Sequence, residues 1–260
     1  MKDLHKRVIT GIVGIIALIF IMYLGINAIK VFLFVATLEA IREIYNAFMN
    51  KGIKLFLPVL FLGAILTFVC SLLNSKIEYS LIAFFIINAI CSIVIESYEL
   101  ENSIYTFFAY FYTVFLLNLL AVSNELILII AAFVVAFCTD TFAYFVGSTF
   151  GKHKLIERVS PNKSVEGAIG GTVIASIVTV IYFYYIGKNY IDINLSFPAV
   201  VIIILASVAG QFGDLFASKL KRYTGIKDYA NILPGHGGVL DRFDSIIFVS
   251  PVIYVLFHVL

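Results

Sequence analysis

The sequence predicts an all-α, polytopic integral membrane protein of about nine transmembrane helices, with its N-terminus in the cytoplasm. Three observations predict it. Hydrophobic residues make up 62% of the 260 and charged residues only 13%, with a mean hydropathy of +1.04, which excludes an ordinary soluble domain. About nine stretches approach the ~20 mostly apolar residues that a helical span needs. The Lys and Arg residues between those stretches are also strongly one-sided, as the positive-inside rule describes.

The first span is placed at 8–29, behind Lys2, Lys6 and Arg7. This start superficially resembles a secretory signal. Its apolar run is longer than such signals carry, however, and no A-x-A cleavage site follows, so it reads as a retained span. Spans at 31–50, 53–73, 77–97 and 102–121 complete a first region, residues 1–124, read as scaffold and dimerisation helices. That region has little polar content apart from Glu39, Arg42 and Glu43 in the second span, spaced i,i+3 and i,i+4. They suit either an ion pair at a helix end or a contribution to a shared polar cavity. Glu96, Glu99 and Glu101 form an acidic turn with no assigned role.

Spans at 125–150, 166–186, 196–220 and 238–259 make residues 125–260 the catalytic region, with two basic loops at 151–165 and 219–237. A β-barrel is excluded, because runs such as IVGIIALIFIMYLGI are apolar all round instead of alternating. With the N-terminus inside, every Lys and Arg falls on the inner side except Lys30, Lys76 and Lys188, and both basic loops face the cytoplasm. Cys70, Cys91 and Cys138 are isolated in apolar runs, which indicates neither a zinc site nor a disulfide framework. No internal repeat is visible, which argues against transporters built from inverted halves.

The chemistry is expected in the strip Ser218–Asp244, SKLKRYTGIKDYANILPGHGGVLDRFD, which lies between two apolar runs. Polar groups concentrated beside a bilayer are a functional-site hypothesis by default. Asp214, Ser218 and Lys221 stand at i, i+4 and i+7, on one helix face. Lys227 and Asp228 precede a turn of Pro234, Gly235, His236, Gly237 and Gly238, whose backbone N–H groups suit an anion nest. His236 is a candidate for phosphate contact or proton handling. Asp241, Arg242 and Asp244 open the last span. Asp214 and Asp241, from adjacent helices, suit a shared Mg²⁺, which takes one or two carboxylates and fills its shell with phosphate and water. Upstream, Asp140, Tyr144, Gly147 and Gly151 recur at helical spacing, and Gly147-x-x-x-Gly151 is most simply a packing motif. Lys163 and Ser164, at the start of the seventh span, are candidates for phosphate at a helix N-terminus.

These residues resemble the signature of the CDP-diacylglycerol synthases (phosphatidate cytidylyltransferases). Its pattern is S-x-apolar-K-R, four residues, K-D, a spacer, P-x-H-G-G, apolar, x, D-R, apolar, D. It is met by Ser218, Lys221, Arg222, Lys227, Asp228, Pro234, His236, Gly237, Gly238, Asp241, Arg242 and Asp244. The block around Asp140, Lys163-Ser164 and Glu166-Gly167 is similar to the family too. The resemblance is close over 140–244 and only topological over the first 124 residues. It implies a multi-pass, Mg²⁺-dependent nucleotidyltransferase of the cell membrane, a homodimer with its active site facing the cytoplasm. It would convert CTP and phosphatidic acid to CDP-diacylglycerol and pyrophosphate, with no nucleic-acid partner. Asp214 and Asp241 would then be the metal pair, with a second site for another metal or a monovalent ion. Lys221, Arg222, Lys227, Asp228, His236, Arg242 and Asp244 would be catalytic, and Asp140, Lys163, Ser164, Ser218, Gly237 and Gly238 would bind substrate. Two alternatives change the acceptor or the class. One is a CTP-using polyprenol or phytol kinase or an archaeal-lipid cytidylyltransferase, and the other is an ion-coupled transporter.

Overall fold

The computed structural model describes residues 2–122, 124–186, 195–232, 235 and 237–258, with side chains from Thr10 onward. It is an all-α membrane protein, and among the described residues its helices each overlap a predicted apolar stretch, the first two beginning about five residues early. They are α1 (Lys2–Tyr23), α2 (Ile26–Asn50), α3 (Leu57–Leu72), α4 (Glu78–Val94), α5 (Leu100–Ala121), α6 (Leu126–Phe150), α7 (Val165–Tyr185), α8 (Phe197–Thr224) and α9 (Leu240–Phe257). Four of them, α5 to α8, are long and apolar enough to cross a membrane by length and composition alone. α5 is not uniform, because a π-helical turn at Phe111–Phe115 interrupts it.

Two departures from the expected pattern have local causes. The first apolar run, 8–29, is broken at Gly25, whose φ of 91° lies in the left-handed region that glycine tolerates. Lys30, expected outside the spans, therefore sits inside α2 at 3% exposure. There its ammonium donates to the Ser71 carbonyl at 2.7 Å and to Asn74 Oδ1 at 2.8 Å, at the end of α3. The second departure lies in the 151–165 loop, which contains a small antiparallel hairpin, β1 (Lys154–Ile156) with β2 (Ser160–Ser164).

The chain divides into two compact units. Residues 1–124 with 220–243 form one, and residues 125–219 with 244–260 form the other. In the first unit, α3, α4 and α5 are knitted by Tyr110. Its ring stacks on Phe84 at 3.7 Å, and its hydroxyl joins Thr67 and Ser80. Two glycines stop helices cleanly there. Gly52 ends α2 and Gly225 ends α8, each with positive φ and a 6→1 backbone bond, Ile53 N–H to Phe48 O and Ile226 N–H to Lys221 O. Asn50 donates to the Thr224 carbonyl at 2.8 Å, so the end of α8 is held against the end of α2.

In the second unit, α6 and α7 approach through small residues. A Cβ on Gly167 would lie 2.6 Å from the Ala143 carbonyl, and one on Gly171 would lie 2.8 Å from the Thr139 carbonyl. Gln211 of α8 donates to the Ala168 carbonyl and to Thr172 Oγ1, tying α8 to α7. A Cβ on Gly213 would meet the Asp244 carbonyl of α9 at 2.5 Å. These close approaches carry the segments on which the candidate polar side chains stand.

Candidate active site

In the first unit the signature strip folds around one carboxylate. α8 ends one turn after Lys221, because Gly225 closes it, and the chain returns to start α9 at Leu240. Asp241, in the first turn of α9, is 8% exposed. Its Oδ2 accepts the N–H groups of Gly238 and Tyr229, both at 2.9 Å, and its Oδ1 accepts the Lys221 ammonium at 2.6 Å. That ammonium also lies 5.6 Å from the centre of the Tyr229 ring. Such charge-assisted bonds are short and strong, and here they fix loop, helix end and cation together.

A second carboxylate, not singled out among the site candidates, closes the same turn. Glu43 reaches from α2 with its side chain at 1% exposure. Its Oε1 accepts the Val239 N–H and its Oε2 the Leu240 N–H, each at 2.7 Å. These are the orphan donors of a helix N-terminus, where the dipole favours an anion. The expectation of an anion nest is thus corrected in part. The N–H groups of Gly238, Val239 and Leu240 are filled by the protein's own carboxylates and are not open to a phosphate. Gly235 and Gly237 do adopt positive φ, 76° and 80°. Of the α2 cluster, Arg42 and Glu39 form a surface pair at 3.6 Å, with Arg42 68% exposed. The cluster therefore contains both readings: an ion pair on one side, a buried polar contact on the other.

The second unit holds a second lysine–carboxylate pair, Lys163 of β2 with Asp214 of α8. Lys163 is presented there because β2 runs directly into α7, which Ser164 caps by accepting the Gly167 N–H at 3.1 Å. The carboxylate of Glu166 holds the preceding turn. It accepts the N–H groups of Lys152 and His153 at 3.1 and 3.2 Å and engages His153 Nδ1 at 2.6 Å. Gly147 and Gly151 pack on this corner, where a Cβ would lie 2.9 and 2.6 Å from Ser164 Oγ. Asp140 accepts the Ser245 hydroxyl at 3.0 Å, and Asp244 accepts the Ser245 N–H at 2.7 Å.

The structure thus brings Lys221, Gly238 and Asp241 together in one unit, with Gly237 in the same turn, and Lys163, Ser164 and Asp214 together in the other. Ser218 is half-buried on α8, on the same helix face as Asp214 and Lys221. Arg222, Lys227, Asp228 and Arg242 are exposed, and among the described residues none of them is in a salt bridge. His236 lies outside the described residues. No group of three or more His, Cys, Asp or Glu side chains gathers among the described residues. Asp214 and Asp241 each hold a lysine ammonium, so each is a carboxylate that already takes a cationic partner; magnesium needs only one or two carboxylates. In the sequence Glu43 stands out only as a member of the Glu39–Arg42–Glu43 cluster; its spacing there does not show that it reaches Val239 and Leu240.

Residues 5–260 match the Cytidylyltransferase family. The chain is 34% identical over 266 residues to a phosphatidate cytidylyltransferase of Staphylococcus haemolyticus (strain JCSC1435), covering 96% of this chain and 97% of the relative. It is 33% identical over 276 residues to a phosphatidate cytidylyltransferase of Bacillus subtilis (strain 168), covering 98% of each. A phosphatidate cytidylyltransferase of Staphylococcus saprophyticus is 46% identical over 135 residues, about half of each chain. On this full-length similarity, and with the signature residues placed as described, the chain belongs to the cytidylyltransferase family.

Proposed function

We propose that this protein transfers CMP from CTP to phosphatidic acid, giving CDP-diacylglycerol and pyrophosphate. One observation carries the reading: Lys221 and Gly238 of the signature, together with Tyr229, converge by hydrogen bonds on a third signature residue, Asp241. A phosphate oxygen of the lipid attacks the α-phosphorus of CTP. The new P–O bond forms as the bond to the β-phosphate oxygen breaks, and pyrophosphate leaves with the electron pair. A phosphomonoester has a second pKa of about 6, so the nucleophile is already ionised near neutral pH and no strong base is needed. The protein's task is alignment and neutralisation of charge.

Lys221, Arg222, Lys227, Arg242 and Lys163 supply that neutralisation, and the exposed Arg222, Lys227 and Arg242 are available to phosphates. Ser218, Gly237, Asp228, Asp244, Asp140 and Ser164 complete the proposed site, and His236 is retained as a proton-handling candidate. Mg²⁺ is assigned to Asp214 and Asp241 by the resemblance; when bound it supplies Lewis-acid stabilisation of the phosphates. The finer topology belongs to the same reading: nine spans, a cytoplasmic N-terminus, both basic loops on the cytoplasmic side of the cell membrane, and a homodimer. CTP then arrives from the cytoplasm while phosphatidic acid presents its phosphate at headgroup depth.

The test is pyrophosphate release by the purified protein in detergent. Release that requires both phosphatidic acid and Mg²⁺, with label from CTP entering lipid, is the expected result. Product formed with a polyprenol or phytol in place of phosphatidic acid would move the protein to the lipid kinases. No turnover with any lipid would favour a transporter.

A further inference from the structure

The geometry points to Glu43 as a positioning residue for the transfer: it satisfies the start of α9 so that Asp241, in the same turn, is left to face Lys221 and the phosphates. The inference rests on the function proposed above. A carboxylate at 1% exposure in a mainly apolar helix persists only where its oxygens are satisfied. Both oxygens are, each by one N–H of the first turn of α9 at 2.7 Å. The neighbouring Arg42 points outward and pairs with Glu39, so Glu43 is balanced by the helix end and not by that cation.

Gly238 supplies a second, independent sign. A Cβ there would run into the Glu43 carboxylate, within 2.6 Å of Cδ and 2.7 Å of Oε2. Gly238 is not among the glycines with positive φ. Its lack of a side chain therefore answers to Glu43 and not to backbone conformation. The two acids divide the work: Glu43 takes Val239 and Leu240, whereas Asp241 takes Gly238, Tyr229 and Lys221. Without Glu43, the first-turn donors compete for Asp241, the acid already lying in that turn, and draw it away from Lys221. A shift of about 1 Å in a reacting group can cost on the order of 10²-fold in rate.

Glu43→Gln keeps the shape but replaces one acceptor with an amide NH₂, so one helix N–H then faces a donor. The expected result is a kcat lower by about tenfold or more, with KM for CTP and for phosphatidic acid changed by less than about threefold. The thermal unfolding midpoint in detergent should fall modestly, since one buried N–H is left facing a donor, with the protein still folded at the assay temperature. Gly238→Ala, with Glu43 intact, should reproduce that kcat loss by pushing the carboxylate aside. The double variant should be no worse than the poorer single one, since both break the same contact. Wild-type kcat in either single variant, a loss confined to KM, or additive losses would each overturn the inference. Should Glu43→Gln fail to fold, Gly238→Ala decides the matter alone. A wild-type protein that releases no pyrophosphate from CTP and phosphatidic acid would instead overturn the proposed function.

Discussion

Two lysine–carboxylate pairs, one in each unit, look alike in sequence and differ in setting. Lys221–Asp241 is nearly closed off, with side-chain exposures of 14% and 4%, and Asp241 also accepts two backbone N–H groups. Lys163–Asp214 is half-open at 27% and 30%, and among the described residues Lys163 is the one ionic partner of Asp214. The first pair is part of the architecture of its loop. The second is a pair of charged groups that a solute can reach and separate. The two carboxylates therefore differ in kind: Asp241 organises the backbone of its loop, whereas the partner of Asp214 can be exchanged.

Asp241→Asn should have the largest effect. The amide can accept from one side only, so a donor would face Lys221 or the two N–H groups. Removing one member of a buried pair costs about 3–5 kcal/mol, because the remaining charge is stranded. Turnover should vanish, and the thermal unfolding midpoint should fall well below wild type. Asp214→Asn comes next. It should also abolish pyrophosphate release, but with a stability change within about 1 kcal/mol, as for exposed pairs. An equal fall in both midpoints would erase the difference between the pairs. Substantial turnover in Asp214→Asn would remove Asp214 from the proposed metal site.

What could be read from the chain follows the range of the interactions involved. Helices were legible because a run such as AVVIIILASVAG is apolar all round, and the residues sharing a face of α8 follow from its 3.6-residue period. The break at Gly25 was missed because the apolar run continues through it, and only the backbone angle marks it. The β1–β2 hairpin was missed because strands of 3 and 5 residues in a basic loop carry no alternation. Lys221 of the strip and Lys163 upstream stand out as candidates in the sequence, yet nothing local shows that Lys221 lies on Asp241 or Lys163 on Asp214. The contact from Glu43 to Val239 spans 196 residues, and no spacing rule reaches that far. The signature marks the strip, whereas the carboxylate that holds its turn, Glu43, comes from a remote helix.

Ser164→Ala offers the smallest and most discriminating probe of the open pair. Ser164 follows Lys163 directly and is 9% exposed, and its hydroxyl oxygen accepts the Gly167 N–H. Losing that N-cap should cost about 1 kcal/mol. If the hydroxyl serves only to seat β2 on α7, activity should fall by no more than about threefold, and Ser164→Thr, which keeps the cap, should restore it. If Ser164→Ala instead approaches the loss seen in Asp214→Asn while the unfolding midpoint barely moves, the hydroxyl contacts substrate. In that case the half-open corner, and not only the closed one, takes a direct part in the transfer.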